Sequence, residues 1–414
     1  MMIETLIAMM RYLSPRQDDD AVDRLNYLFT PNILLAFAVL ISFKQFGGHP
    51  IECITASKLP GSWEEYAENY CWAQDTYFVK LNEPVALVQQ QDRYTENRRL
   101  TYYKWVPFFL LFQAALFRLP SLFWNYLSFS SGIRINEIVT RAVDPANMEE
   151  PNQSHCVAVL AKHIQNALRF QRRIHKTLTF LNIRYTAFFI SLMYMITKTL
   201  YLTNALLQIY ILNRFLKIGQ NEWYGLKVIQ EVLNGTEWSN SGVFPRVSVC
   251  DFTIWQVGNI LRYSAQCVLV INMFNEKIFI FLWFWYMLLV TCTLLSFAYW
   301  LITLTVPCFN RWFISQSLEL SDMKFDPETK RKEVERFISK YLRYDGVFVL
   351  RMVTIHAGVI FGTDLVLALW NAFYHLEEEV IRRKEFTPPL DLNVRTKLIP
   401  VVSDKSESGS NDYN

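Results

Sequence analysis

At 52% hydrophobic and only 19% charged residues, this 414-residue chain is too apolar for an ordinary soluble enzyme, whose charged share is about a quarter. A net charge of +3, with no basic run interleaved with aromatics, argues against a nucleic-acid partner. The mean hydropathy of +0.11 and the 15% aromatic content, much of it flanking apolar runs, point to a bilayer with interfacial belts.

Residues 1–26 read as a cytoplasmic N-terminal helix. Met1 to Met10 is apolar apart from Glu4, but it lacks the basic start and small-residue cleavage site of a signal peptide. Insertion is therefore expected to rely on the first span as an uncleaved anchor. Met2, Ile3, Leu6, Met9 and Met10 suit either a pore constriction or a helix lying on the inner leaflet. Asp18, Asp19 and Asp20 fit a solvated turn, a gating cluster or a helix cap; capping is the default.

Four apolar runs follow, at 27–46, 103–123, 185–211 and 278–306. Each is long enough to cross a hydrocarbon core of about 30 Å as a helix. Lys44 and Arg118 lie near span ends, where long stems reach the head groups. Pro31 falls in the expected first turn of its helix, and Pro120 is expected to kink the second. Lys198 stands in the middle of the third run, so it must face protein or water rather than lipid.

The segment 124–184 carries an excess of Lys and Arg, whereas 47–102 is rich in Asp and Glu. The positive-inside rule then makes 124–184 a cytoplasmic loop, 47–102 and 212–277 extracellular loops, and both termini cytoplasmic. In the acidic first loop, Glu64, Glu65 and Glu68 either solvate a helix surface or attract cations to a vestibule; the solvated surface is the default.

A helical cytoplasmic domain is expected over 307–385. Asp326 and Pro327 open a helix, and Asp345-Gly346 is expected to end it with Gly346 in the left-handed conformation. Val353 to Phe373 is as long as a span, but Asp364 is costly in lipid, so it reads as a helix buried in that domain. The polar stretch 386–414 reads as a disordered tail.

Of seven cysteines, Cys53 and Cys71 fall in the first outside loop, Cys250 and Cys267 in the second. An oxidising exterior favours disulfides there, and spacing leaves all three pairings open. Cys292 and Cys308 read as packing residues and Cys156 as a free thiol. No Cys/His spacing suggests a metal site, and His155 and His163 read as ordinary polar residues. Asn234-Gly235-Thr236 is a glycosylation sequon in the second outside loop. The spans hold no acid–base pair or nucleophile motif, so neither an enzyme nor a cofactor is expected. The fold class is thus an all-α membrane protein: a four-transmembrane-helix bundle with disulfide-linked extracellular loops and a helical cytoplasmic domain.

The segment YYKWVPFFLLFQ from Tyr102 to Gln113 resembles the YYQWVPF signature of the innexins, carried here by Tyr102, Tyr103, Trp105, Val106 and Pro107. LSPRQDDDAVDRLNY, SWEEYAENYCW, FPRVSVCDF, YLRYDGVFVLRM and HAG extend the resemblance in family order over most of the chain. Lys104 departs from the usual glutamine and puts permeation preference in question. The resemblance implies a ring of identical or related innexin subunits around a pore, an octamer or a hexamer, with the N-terminal segment as a funnel. It implies that two rings dock through their outside loops to join neighbouring cells, and that Cys53 pairs with Cys267 and Cys71 with Cys250. Rival readings are an undocked, pannexin-like release channel and a non-conducting four-span adhesion or scaffold protein.

Overall fold

A computed structural model of the chain describes residues 16–54, 61–79, 89–95, 98–129, 133–177, 188–216, 244–321, 323, 325, 326 and 329–386. The apolar segment with Met2, Ile3, Leu6, Met9 and Met10, the sequon at Asn234, and the tail lie outside them.

Three helices among the described residues are long and apolar enough to cross a membrane: α1 (Ala21–Gly47), a helix that begins at Tyr102, and one over Val270–Thr305. A short helix, α2 (Gly61–Ala73), follows α1. The second apolar helix is α3 (Tyr102–Phe129). Then come α4 (Ile135–Ala142), α5 (Glu150–Thr177), α6 (Phe189–Phe215) and α7 (Val270–Thr305). α1 packs on α3, α3 on α6, α6 on α7, and α7 back on α1, closing a four-helix bundle. α6 falls short of the other three in hydropathy because it carries Thr197, Lys198 and Gln208, all of them buried inside the bundle.

α1 starts well before the apolar run. Asp20 caps it by accepting from the Asp23 amide (2.7 Å), and Asp23 answers at the Asp20 amide. Pro31 therefore does not sit in the first turn of the rod, although it opens the regular segment Thr30–Gly47. A wide π-turn over Leu25–Phe29 precedes it, and Thr30 Oγ1 donates to the Leu25 carbonyl (2.7 Å). In α3, Pro107 has no amide proton to offer Tyr103, four residues earlier, and the freed carbonyl accepts from Gln45 Nε2 of α1 (2.8 Å). The two helices are stitched together at that point.

The molecule is not all-α. Five antiparallel strands form one sheet in the order β1-β5-β4-β2-β3: β1 (Glu52–Ile54), β2 (Thr76–Tyr77), β3 (Arg99–Leu100), β4 (Val247–Gln256) and β5 (Asn259–Val268). Three of these strands have only two or three residues and pair across two separate loops, so no local alternation announces them. The long β4–β5 hairpin turns at Val257-Gly258, both with positive φ (48° and 84°), as a two-residue turn matched to strand twist requires.

At the other end, α4, α5, α8 (Pro307–Glu319), α9 (Arg331–Arg336, continued by a π-turn over Phe337–Leu342), α10 (Arg343–Ala357) and α11 (Val359–Phe386) form a helical domain. Val347, Phe348, Val349 and Leu350 are buried in succession, so α10 is its central rod. The expected single helix over 353–373 is broken at Gly358, whose φ of 91° only glycine adopts readily. Its second part buries Leu365, Val366, Leu369 and Trp370.

The expected stop at Asp345-Gly346 does not occur. The chain breaks at Arg343 (φ 53°), and both residues lie inside α10. Gly346 is needed for closeness rather than for a left-handed turn, since a Cβ there would come within 3.1 Å of Leu342. Asp345 instead caps α6 from outside: it accepts from the Ser191 amide and hydroxyl (both 3.0 Å) and the Ile190 amide (3.4 Å). Burial pushes its carboxyl up to about 6, against the pull of those donors. A raised carboxylate pKa means the folded state holds a proton that the unfolded state has released, so stability falls as pH rises from about 4 to about 6. Asp345→Asn is expected to flatten this step, on the order of 3 kcal/mol, in thermal melts of the detergent-solubilised protein across that range.

Candidate functional site

Two features organise the molecule. The first is a buried cluster of charges where the N-terminal segment joins the bundle. Lys198 of α6 is 0% exposed. Its ammonium donates to Asp23 (2.8 Å), Asp20 (2.5 Å) and Ser296 of α7 (2.9 Å). Asp20 also accepts from Ser296 (2.7 Å) and Trp300 Nε1 (2.9 Å), and Asp23 accepts from Tyr194 (3.1 Å). Lys198 thus faces protein, with carboxylates as its partners.

Around this centre lies a second layer. Asp18 takes a two-pronged contact from Arg16 (2.8 and 2.7 Å) and accepts from Trp124 Nε1 of α3 (3.0 Å). Asp19 accepts from Arg24 (2.8 Å) and from the Tyr27 hydroxyl, which in turn accepts from the Arg16 amide (2.9 Å). Burial raises the Asp19 carboxyl to about 6. Capping therefore accounts for Asp20 alone; Asp18 and Asp19 are buried partners and not a solvated turn. Four carboxylates meet Arg16, Arg24 and Lys198, and the contacts reach α1, α3, α6 and α7 together. The signal in the sequence was a run of acids beside an apolar stretch that itself carried one lysine.

The second feature is the sheet. Cys53 and Cys267 are register partners on β1 and β5 and are joined by a disulfide; Cys71 of α2 is joined to Cys250 of β4. The first bond ties the two loops edge to edge. The second clamps α2 on the sheet, where Trp63 meets Tyr263 and Tyr70 meets Phe252. The sulfurs of Cys53, Cys71 and Cys267 lie near one another, but all are consumed in these bonds. Asp251 ties the strands together by accepting from Tyr77, Arg93 and Ser264 (3.1, 3.1 and 2.6 Å).

The signature residues hold the sheet to the bundle. Tyr103 and Val106 are fully buried, and Tyr103 packs beside Trp72 (5.4 Å between rings). Tyr102 meets Phe244, Pro107 is buried, and Trp105 points outward. Lys104 does not stand free at a pore mouth. Its ammonium donates to the Ala73 and Gln74 carbonyls (3.2 and 2.7 Å) at the end of α2, beside Asp75 (3.5 Å). Glu64 and Glu65 are exposed on α2, while Glu68 is half-buried and accepts from the Cys53 amide. Cys308, expected to pack, is instead exposed at the start of α8; Cys156 and Cys292 are half-buried thiols.

A bundle of long apolar helices, a disulfide-braced sheet at one end and a helical domain at the other define a membrane protein built from packed helices and a rigid, covalently braced lobe. A family model described as Innexin matches residues 19–373. Innexin-11 of Caenorhabditis elegans is 55% identical over 383 residues, covering 90% of this chain and 82% of its own length. Innexin-10 of the same nematode is 49% identical over 400 residues (94% and 71%), and Innexin unc-9 is 39% identical over 362 (86% and 92%). The chain belongs to the innexin family.

Removing one partner of a buried ion pair leaves the other charge stranded, at a cost of about 3–5 kcal/mol. Lys198→Met is expected to lower the melting temperature of the solubilised protein accordingly, and adding Asp23→Asn should recover part of the loss. An unchanged melt would show that the cluster is not a structural keystone.

Proposed function

We propose that this chain is a channel subunit that forms gap junctions, passing ions and small molecules between adjacent cells. The observation that carries this reading is the tip of the β4–β5 hairpin. Trp255, Val257 and Ile260 are 75%, 99% and 52% exposed there, on a lobe stiffened by two disulfides. An exposed apolar cluster on a rigid support marks a protein-binding surface, and rigidity lowers the entropy lost on docking. An undocked release channel gives no reason for such a tip, and current through the purified protein in a lipid bilayer separates this reading from a non-conducting adhesion or scaffold protein.

In this reading all four bundle helices cross the plasma membrane. α6, at 27 residues, is about 40 Å long. Its outward residues include Leu192, Leu200, Leu206 and Tyr210, while Lys198 and Gln208 turn inward, as a span with polar cargo requires. The sheet then lies outside the cell, and both termini and the helical domain lie in the cytoplasm. Subunits assemble with copies of themselves or other innexins into a ring, an octamer or a hexamer. The N-terminal segment 1–26 is the pore funnel of this reading, with Met2, Ile3, Leu6, Met9 and Met10, which lie outside the described residues, as its constriction candidates. Within the described part of that segment, Asp18 to Asp23 are held in the bundle by the charge cluster.

The test is Trp255→Glu with Ile260→Glu in paired cells. Junctional conductance is expected to fall more than about tenfold, as for the loss of a buried aromatic anchor, while undocked whole-cell currents persist. Junctional coupling at the wild-type level would remove the docking role of the tip.

A further inference from the structure

A cleft of about 720 Å³ opens beside α8, apart from both the charge cluster and the sheet. The chain sets its level. Phe188 in its wall directly precedes α6, and Pro307 stands two residues past the end of α7, so the cleft lies where two bundle helices leave the apolar layer. Val306, Phe309 and Trp312 are exposed at the same level, with Trp312 60% exposed. Aromatic and apolar side chains of this kind belong at the boundary between acyl chains and head groups.

The charge in the cleft is unbalanced. Arg311 and Arg343 both line it, against one carboxylate, Glu335, which pairs with Arg311. The Arg343 side chain has neither a hydrogen bond nor an ion-pair partner among the described residues, although the residue is half-buried; only its backbone amide is bonded, to the Ile338 carbonyl. Its backbone sits at φ 53°, a region that a non-glycine residue occupies at a cost. A guanidinium so held is a fork of donors suited to an oxyanion. The surround is firm: Arg351 donates to the Phe309 carbonyl (2.9 Å) and lies 4.7 Å over the Phe313 ring, fixing α8 to α10.

We propose that this cleft binds the phosphate head group of an anionic membrane lipid from the adjoining leaflet. Arg343 and Arg311 grip the phosphate, and Phe188, Pro307 and Ile338 form the apolar wall beside the first acyl carbons. A free phosphate ion shares the same chemistry at the arginines, but it would leave that wall and most of the volume unused. The inference rests on the bilayer-crossing reading of α6 and α7 and is independent of docking.

The full chain in detergent is titrated with dioctanoyl phosphatidylinositol bisphosphate, dioctanoyl phosphatidylserine, dioctanoyl phosphatidylcholine and inositol trisphosphate, and binding is read by thermophoresis. The anionic lipids are expected to bind about tenfold more tightly than the choline lipid, and Arg343→Gln is expected to weaken them about fivefold. Glu335→Gln removes the competing carboxylate and should tighten binding about threefold, a gain that misfolding does not mimic. Equal affinity for the choline lipid, or an Arg343→Gln protein that binds like the wild type, overturns the site. Inositol trisphosphate binding as tightly as its lipid would make it a soluble-anion site and overturn the lipid assignment. Either failure alongside normal junctional currents would leave the proposed channel function standing. A tag on α11 accessible from outside intact cells would instead strike at the topology.

Discussion

The architecture depends on a lysine that has no business in lipid. Lys198 stands in the middle of a long apolar helix, and an ammonium there is tolerable only if charges of the opposite sign surround it. Asp20 and Asp23 supply them, and in doing so they decide how the chain enters the bundle. Ser296 and Trp300 bring α7 to the same point, and Trp124 brings α3 through Asp18. One desolvated charge therefore organises four helices and the stem of the N-terminal segment. Such a network adds little net stability over a greasy core, but it admits a single arrangement of its members.

The opposite end of the bundle obeys a different rule. Small loop-borne lobes cannot bury enough apolar surface to hold their shape, so covalent bonds make up the difference. Here two disulfides tie strands of two or three residues and one short helix to a single long hairpin. Tyr103 and Lys104 then join that lobe to α3 through a ring contact and a capped helix end, while Gln45 ties α1 to α3 beside them at a carbonyl freed by proline. The signature segment is thus the junction between a lobe braced by covalent bonds and a bundle of long apolar helices.

How much of this could be read beforehand follows from the range of each interaction. The apolar runs were legible because twenty greasy residues in a row have few other uses, and α1, α3 and α7 coincide with three of them. That Lys198 must turn inward was also legible, but its partners lie 175 and 178 residues away, and no local pattern names them. Of the sheet, β1, β2 and β3 were not legible because they are too short to alternate and draw their meaning from register with one another and with the long β4–β5 hairpin. Asp345-Gly346 has the local form of a helix stop, yet Ser191, 154 residues distant, recruits the aspartate as a cap for another helix. Tertiary need outweighed local propensity at each of these places.

α7 runs for 36 residues, about 54 Å, nearly twice the thickness of the hydrocarbon layer. Its first half is a member of the core beneath the sheet, through Ile271, Phe279 and Tyr286, and its last turns join the core of the helical domain, through Trp300 and Leu304. No loop interrupts it. A tilt imposed at one end of this shaft must therefore reappear at the other as a displacement scaled by its length, so this helix is a mechanical lever linking the sheet to the helical domain.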